Sequence, residues 1–353
     1  MQLSLIVPYH NEEINLVLLY QRILQTFDKI HKELDFENFE IIFIDDGSTD
    51  QSTQLLIKTI HETNKIYQKQ YDFNVIVKIY QFKYNEGQSA ALSLGFSKAS
   101  GKYIATIDSD LQNDPEDLVK LLKTITTQNQ VEIVSGYRVQ RKETTRAKIS
   151  SIGNLLIRII SGYQVKDVGC SLKVYKNYTI KDTRLPPGYH RFLPIIAKAD
   201  KKSILNIPVN HSKRFYGKSH YNYSRIFWLL KNILILPIIK GGDIDKINAR
   251  INILKLGAYI SLLFIPLSIL YHQIIFLIIL SVILHVSLIK AQNYIKYRQV
   301  FDSIPYQKIL ELQISKNSSG GRSEYDQDFD NTNSIPTNFI DGICSGSKHN
   351  SYQ

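Results

Sequence analysis

The sequence predicts an α/β fold, a mostly parallel β-sheet flanked by helices, followed by interfacial helices and a C-terminal transmembrane helical hairpin. Three observations carry this expectation. Over residues 1–136, short apolar runs alternate with amphipathic stretches, the pattern of strands linked by crossover helices. Polar clusters follow several of those runs, at the strand ends where such sheets bind ligands. Further on, Leu256–Ile289 holds no charged residue over 34 positions, more than an ordinary core helix needs.

In chain order, Leu3–Val7 reads as the first strand. It has no basic leader region, so it is not a signal peptide. Glu40–Ile44, Val75–Tyr80, Tyr103–Ile107 and Val131–Ser135 read as further strands. Between them Glu13–Ile30, Ser52–Thr63, Gln88–Ala99 and Pro115–Thr127 carry helical spacing or helix-starting chemistry. Ile149–Ser161 is amphipathic, and Arg225–Lys240, with Trp228, has the profile of a helix lying in a membrane interface. Basic residues flank the uncharged stretch on both sides: Lys246, Arg250 and Lys255 before it, Lys290, Lys296 and Arg298 after it. The positive-inside rule then places both ends in the cytoplasm, so an even number of crossings, a hairpin, is expected. The alternative is a kinked or re-entrant helix pair buried in protein. Residues 316–353 are polar and aperiodic and read as a disordered tail.

Composition narrows the function classes. Of 353 residues, 44% are hydrophobic and 21% charged, which excludes a wholly disordered, collagenous or coiled-coil chain. Two cysteines, Cys170 and Cys344, cannot build a disulfide scaffold and point to a reducing compartment. The net charge of +11 asks for an acidic partner: nucleic acid, anionic lipid or a phosphorylated substrate. Arg138–Lys148 and Lys198–Lys218 concentrate the basic residues.

Asp108-Ser109-Asp110 ends an apolar run, so its carboxylates emerge at a strand end. Hard oxygen ligands there suit Mg²⁺ or Mn²⁺ beside a diphosphate. The same residues also serve as ordinary turn formers after strands. Three more polar loops accompany them: Pro8–Glu13, Asp45–Asp50 and Asn85–Gln88. Helix capping accounts for Ser48 and Asp50 equally well. A Gly-x-Gly-x-x-Gly fingerprint and a phosphate loop ending in Gly-Lys-Ser/Thr are both missing from these loops, which argues against dinucleotide oxidoreductases and P-loop kinases.

Read in order, Val7-Pro8-Tyr9-His10-Asn11-Glu12, Asp45–Asp50, Asn85-Glu86-Gly87, Asp108-Ser109-Asp110-Leu111-Gln112 with Pro115-Glu116, and Gly136-Tyr137-Arg138 resemble the inverting glycosyltransferases of family 2. The later blocks Asp167–Lys173, His190–Pro194 and His211–Arg214 with Gly217, Ser219 and Tyr221 resemble its polyprenyl-phosphate branch, dolichol-phosphate mannose synthases and undecaprenyl-phosphate sugar transferases. The resemblance covers about residues 3–225 and implies the glycosyltransferase A fold. By resemblance, Pro8, Tyr9 and Glu12 line the nucleotide pocket, Asp46 accepts from the base, and Asp108 contacts the ribose or sugar. Asp110, helped by Gln112, holds Mg²⁺ or Mn²⁺ on the donor diphosphate. Arg138 binds phosphate of acceptor or donor, and Arg214 and Ser219 close over the diphosphate and acceptor. Asp167 is either a base or a positioning residue. A lipid phosphate is already anionic, so a base would be redundant there.

These readings divide the chain into a catalytic domain (1–224), a juxtamembrane interfacial segment (225–251), the hairpin (252–292) and a cytoplasmic segment with tail (293–353). They imply an integral membrane protein with its catalytic domain and both termini on the cytoplasmic face. It would move a hexose from a nucleotide sugar of the GDP-mannose or UDP-glucose type to a polyprenyl phosphate, with inversion. Nucleic acid drops out as the partner, and an oligomer is compatible with everything read. Two alternatives stay open: another lipid or polysaccharide acceptor, and a catalytically inactive membrane scaffold.

Overall fold

Near-continuous apolar strands require a sheet covered on both faces, and the computed structural model has that architecture. It describes residues 1–139, 145–212, 235–240, 244–269 and 274–314. β1 (Leu3–Tyr9), α1 (Glu13–Leu34), β2 (Asn38–Asp45), α2 (Ser52–Gln70), β3 (Asn74–Phe82), α3 (Gln88–Lys98) and β4 (Tyr103–Thr106) alternate as expected. Then come α4 (Asp117–Thr127), β5 (Ile133–Arg138), α5 (Thr145–Ser161), β6 (Lys173–Lys176) and β7 (Ile204–Val209). Two long helices, α6 (Ile244–Ile269) and α7 (Ile274–Val300), precede a last strand, β8 (Tyr306–Ile314).

The strand order is β7-β5-β6-β4-β1-β2-β3-β8. β1 runs parallel to β2 and β4, β2 to β3, and β5 to β7. β6 is antiparallel to both β4 and β5, and β8 is antiparallel to β3. The sheet is mixed and mostly parallel.

Successive side chains on a strand point to opposite faces, and that period divides the core in two. Leu3, Leu5 and Val7 of β1 join Phe39, Ile41 and Phe43 of β2 beneath α1, α2 and α4. Ile6, Ile42 and Ile44 face the other way, towards α3 and the turns around Tyr189–Ile196. Phe27 of α1 stacks on Phe39 at 4.3 Å between ring centroids; truncating either ring to alanine would cost about 3–5 kcal/mol. On the second face α3 comes close enough that a Cβ on Gly95 would lie 2.4 Å from Ile6 Cγ2.

The second layer continues into the long helices. Ile247 and Ile251 of α6 and Ala291 and Tyr294 of α7 are buried in it. Farther along, Ile253, Leu256 and Tyr259 of α6 and Val282 and Ile289 of α7 are exposed. Ser261 Oγ donates to Ser281 Oγ across the pair at 3.2 Å. Among the described residues one segment, Ile278–Tyr297, is long and apolar enough to cross a membrane by length and composition.

Two elements differ from the sequence reading. β5 begins later than Val131 and continues through Gly136-Tyr137-Arg138, because β7 pairs with it as far as Arg138 opposite Val209. β8 was not expected at all. Its partner edge, β3, lies more than 200 residues earlier in the chain, and local spacing carries no sign of such pairing. Most of the interfacial stretch Arg225–Lys240, the 316–353 tail, Arg214 and Ser219 lie outside the described residues.

Candidate active site

The loops leaving β1 and β2 interlock at the carboxyl ends of their strands. Asn11, in a left-handed backbone conformation (φ 55°) that asparagine tolerates, accepts through Oδ1 from Thr49 N at 2.8 Å. His10 Nδ1 lies 2.8 Å from the Asp46 carbonyl, and Ser52 Oγ accepts from Glu12 N at 2.8 Å. Glu12 in turn accepts from Asn15 Nδ2 at 2.5 Å. Pro8 is buried. Tyr9 is buried too, its ring edge-on to Phe43 and its hydroxyl 2.8 Å from Thr53 Oγ1.

The neighbouring carboxylates have separate tasks. Asp45 is fully buried and accepts from Ser48 N, Thr53 Oγ1 and Gln81 Nε2 at 2.6–2.8 Å. Asp46 Oδ1 accepts from Glu86 N at 2.8 Å and Gly87 N at 2.9 Å, tying the β2 loop to the start of α3. Burial pushes Asp46 up to about 6, although those two N–H groups and His10 pull it down. Gly47 is required between them: its φ is +67°, and a Cβ would lie 2.6 Å from the Tyr84 carbonyl carbon.

At the end of β4, Asp108 accepts from Gln88 Nε2 at 2.7 Å, and its own N–H donates to Ser171 Oγ at 3.2 Å. Burial, and then the charge of Asp110, push the Asp108 carboxyl up to about 6. Asp110 is 8% exposed and accepts from Gln112 N at 3.2 Å. Between them Leu111 is buried with φ +58°, a backbone state costing about 1–2 kcal/mol for a residue with a Cβ. Asn113 Nδ2 donates to Ser171 Oγ at 2.7 Å, which closes the turn onto the 167–173 segment.

This donor set fits a divalent cation. The charge of Asp110 raises the proton affinity of Asp108, so a positive charge beside the turn is favoured, and the side-chain amide of Gln112 is the kind of hard oxygen donor such a cation takes. Among the described residues no group of three or more His, Cys, Asp or Glu is arranged to hold a metal ion by itself. The protein would therefore supply few ligands, which suits Mg²⁺ or Mn²⁺ shared with phosphate oxygens.

Across β4, Arg138 at the end of β5 holds Asp167 with both ends of its fork. Nε donates to Oδ2 at 2.7 Å and Nη2 to Oδ1 at 2.9 Å. Their side chains are 12% and 9% exposed. Burial lowers the Arg138 pKa but the Asp167 hydrogen bonds and charge outweigh it, so the net movement is upward. Lys173, at the start of β6, is buried behind them and donates to the Cys170 carbonyl. Burial lowers its pKa, against the opposing charges of Cys170, Asp167 and Asp108. Burial also drives the Cys170 thiol up to about 11, so it is no nucleophile. His190 Nδ1 lies 3.2 Å from Ser89 Oγ, next to the Asp108 partner Gln88.

The fold thus gathers Asp46, Asp108, Asp110, Gln112, Arg138 and Asp167 at the strand ends on this side of the sheet, with Pro8, Tyr9 and Glu12 on the adjoining loop. Sequence reasoning assigned no role to Gln88, Asn113, Ser171 or Lys173. Lys173 could have been noticed: a lone cation heading the apolar strand Lys173-Val174-Tyr175 is out of place unless carboxylates face it. Asn113 and Ser171 carry no such signal, since 58 residues separate them.

A Photorhabdus laumondii undecaprenyl-phosphate 4-deoxy-4-formamido-L-arabinose transferase is 30% identical over 66% of this chain and 67% of its own. A Rhizobium johnstonii dodecaprenyl-phosphate galacturonate synthase is 32% identical over 66% of each. The chain thus spans about two thirds of the length of these relatives. The crystal structure of Mycobacterium tuberculosis glucosyl-3-phosphoglycerate synthase with Mn²⁺, UDP-glucose and phosphoglyceric acid aligns at a TM-score of 0.46. It is 18% identical and covers 67% of this chain and 78% of that one. Residues 4–183 match the family profile Glycosyl transferase family 2. With that match over half its length and the sheet described above, the chain belongs to glycosyl transferase family 2, as a glycosyltransferase of the A-type fold.

Proposed function

We propose that the protein transfers a sugar from a nucleotide-diphosphate donor to a polyprenyl phosphate at the cytoplasmic surface of a membrane, with inversion at the anomeric carbon. The observation that carries this reading is the juxtaposition of the Asp108–Asp110 turn with the bidentate Arg138–Asp167 pair. Acceptors named in the relatives, undecaprenyl and dodecaprenyl phosphate, support the lipid.

The donor nucleotide lies along the Pro8–Glu12 and Asp46 loops, Tyr9 contributing its backbone because its side chain is in the core. A divalent cation held by Asp110 and Gln112 would offset charge on the departing diphosphate. Asp108, fixed by Gln88 and Ser171, faces the ribose and sugar. The acceptor phosphate oxygen attacks the anomeric carbon as the carbon–oxygen bond to the diphosphate breaks. Because that oxygen is already anionic, no base need remove a proton. Both Asp167 oxygens accept from Arg138, which favours Asp167 as a positioning residue that aims the guanidinium at phosphate. Arg214 and Ser219 complete the acceptor side in this reading.

The exposed apolar side chains of α6 and α7 support a spanning hairpin, with the catalytic domain, the 293–353 segment and both ends of the chain on the cytoplasmic face. Basic residues around the site collect the lipid phosphate and the anionic surface at about 1 kcal/mol each. The donor sugar is a hexose in the GDP-mannose or UDP-glucose reading, whereas the relatives are named for 4-deoxy-4-formamido-L-arabinose and galacturonate. Membranes containing the protein, incubated with labelled GDP- and UDP-sugars of all four types, will yield one labelled polyprenyl-phosphate sugar in the organic extract. Label found only in polymer would replace the lipid acceptor. Failure to bind any donor with Mn²⁺ would sink the enzyme reading.

A further inference from the structure

The turn that carries Asp110 and Gln112 is held from its far side by residues that belong to neither the donor loops nor the Arg138–Asp167 pair. Where the chain leaves β7, Asp117 at the start of α4 takes Asn210 with both oxygens. Oδ2 accepts from Asn210 N at 2.5 Å and Oδ1 from Asn210 Nδ2 at 3.2 Å. Lys120 Nζ lies 2.8 Å from the same Oδ1. The next two residues are laid against the turn: His211 forms an antiparallel bridge with Asn113, and Ser212 N donates to the Gln112 carbonyl at 2.8 Å. Asn113 is 4% exposed and passes the restraint on to Ser171, which accepts from Asp108 N.

This arrangement has something to oppose. Leu111 sits between the two acidic residues and Gln112 in a left-handed conformation that a residue with a Cβ leaves unless its surroundings over-determine it. A turn free to relax at Leu111 would swing Gln112 away from Asp110. We propose that Asp117 is a positioning residue: through Asn210 it presses His211 and Ser212 onto Gln112–Asn113, keeping the strained turn in the form that presents Asp110 and Gln112 together to the cation. The inference rests on the reading of Asp110 and Gln112 as cation ligands.

Two measurements on the full chain test it. In the metal-free protein, amide hydrogen exchange over residues 110–113 and 210–212 should be faster in Asp117→Ala than in wild type, with exchange in β1 and β2 unchanged. In the presence of UDP or GDP, the Mn²⁺ concentration giving half-maximal binding, read by electron paramagnetic resonance of free Mn²⁺, should rise about tenfold. Asp117→Asn, which keeps an acceptor for Asn210 N–H, should stay within about threefold of wild type. Adding Leu111→Gly to Asp117→Ala should recover most of the loss, since glycine holds the left-handed conformation without strain; general destabilisation would be worsened by that glycine instead. Unchanged exchange in Asp117→Ala, or faster exchange with an unmoved Mn²⁺ midpoint, overturns the proposal while leaving the site reading intact. No Mn²⁺ binding by the wild-type protein with either nucleotide overturns the site reading and this inference with it.

Discussion

On the β1–β2–β4 side of the cleft, carboxylates are held mainly by neutral donors, whereas on β5 and the segment before β6 the carboxylate of Asp167 is locked to a guanidinium. Asp45 and Asp46 accept from backbone amides, a hydroxyl and a glutamine, and Asp108 from Gln88. Their negative charge is only partly offset, and Asp46 and Asp108 both sit at about 6. Arg138 and Asp167 neutralise each other at 2.7 and 2.9 Å with Lys173 behind them. One side is therefore built to accept positive charge with its ligand, and the other to hold a guanidinium in a fixed direction while it meets phosphate.

The contrast can be broken by mutation. The largest effect belongs to the charge-accepting side: Asp110→Asn should lower sugar transfer by about three orders of magnitude while the protein still reaches the membrane. Normal transfer by a folded Asp110→Asn would remove the cation from the mechanism. On the neutralised side, Arg138→Ala leaves Asp167 without its guanidinium and should cost about 3 kcal/mol of stability in denaturant titration. Arg138→Met with Asp167→Leu should recover the stability and no activity. If Arg138→Ala costs nothing, the pair is not the internal lock described here.

Asp46→Asn should move in the opposite direction. Its raised pKa means that the ionised form opposes folding fully above about pH 6, and that this penalty fades as pH falls from 6 towards the ordinary value of 3.8, below which folded and unfolded chains are both protonated. Asparagine keeps an acceptor for Glu86 and Gly87, so the variant should gain about 1–3 kcal/mol at pH 7.5 and nothing near pH 4. It should lose nucleotide affinity at the same time. A loss of stability at pH 7.5 would show that the charge is better satisfied than burial suggests. The smallest effect sharpens the comparison by pH alone. Protons compete with the cation at Asp108, so Mn²⁺-dependent nucleotide binding should weaken below about pH 6, approaching tenfold per unit. Calorimetry between pH 5 and 7.5 would read the slope, and a flat profile would take Asp108 out of that competition.

How much was legible in the sequence depended on whether a feature is local. The β1–β4 alternation could be read from spacing because β1, β2 and β4 are buried on both faces, β3 alternates buried with half-buried positions, and each helix starts on a polar turn. Asp108 and Asp110 could be placed at a strand end for the same reason. Arg138 was expected to bind phosphate, but its grip on Asp167, 29 residues away, needed β5 and the turn before β6 to be brought together. β8 escaped notice because its alternation has meaning only beside β3.

The sequence alone determined the α/β class and the side of the sheet that carries the acidic loops, since apolar period and residue type record these locally, and the order of its motifs carried the resemblance to a glycosyltransferase family. Tertiary structure decided which carboxylates have neutral partners and which a guanidinium. It also decided that Tyr9 turns into the core, and that Leu111 is held in a left-handed turn by residues about 100 positions away. The physical reason is common to all of these. Burial and charge pairing depend on which strands become neighbours, and in a mixed sheet of order β7-β5-β6-β4-β1-β2-β3-β8 neighbours in space are often distant in the chain.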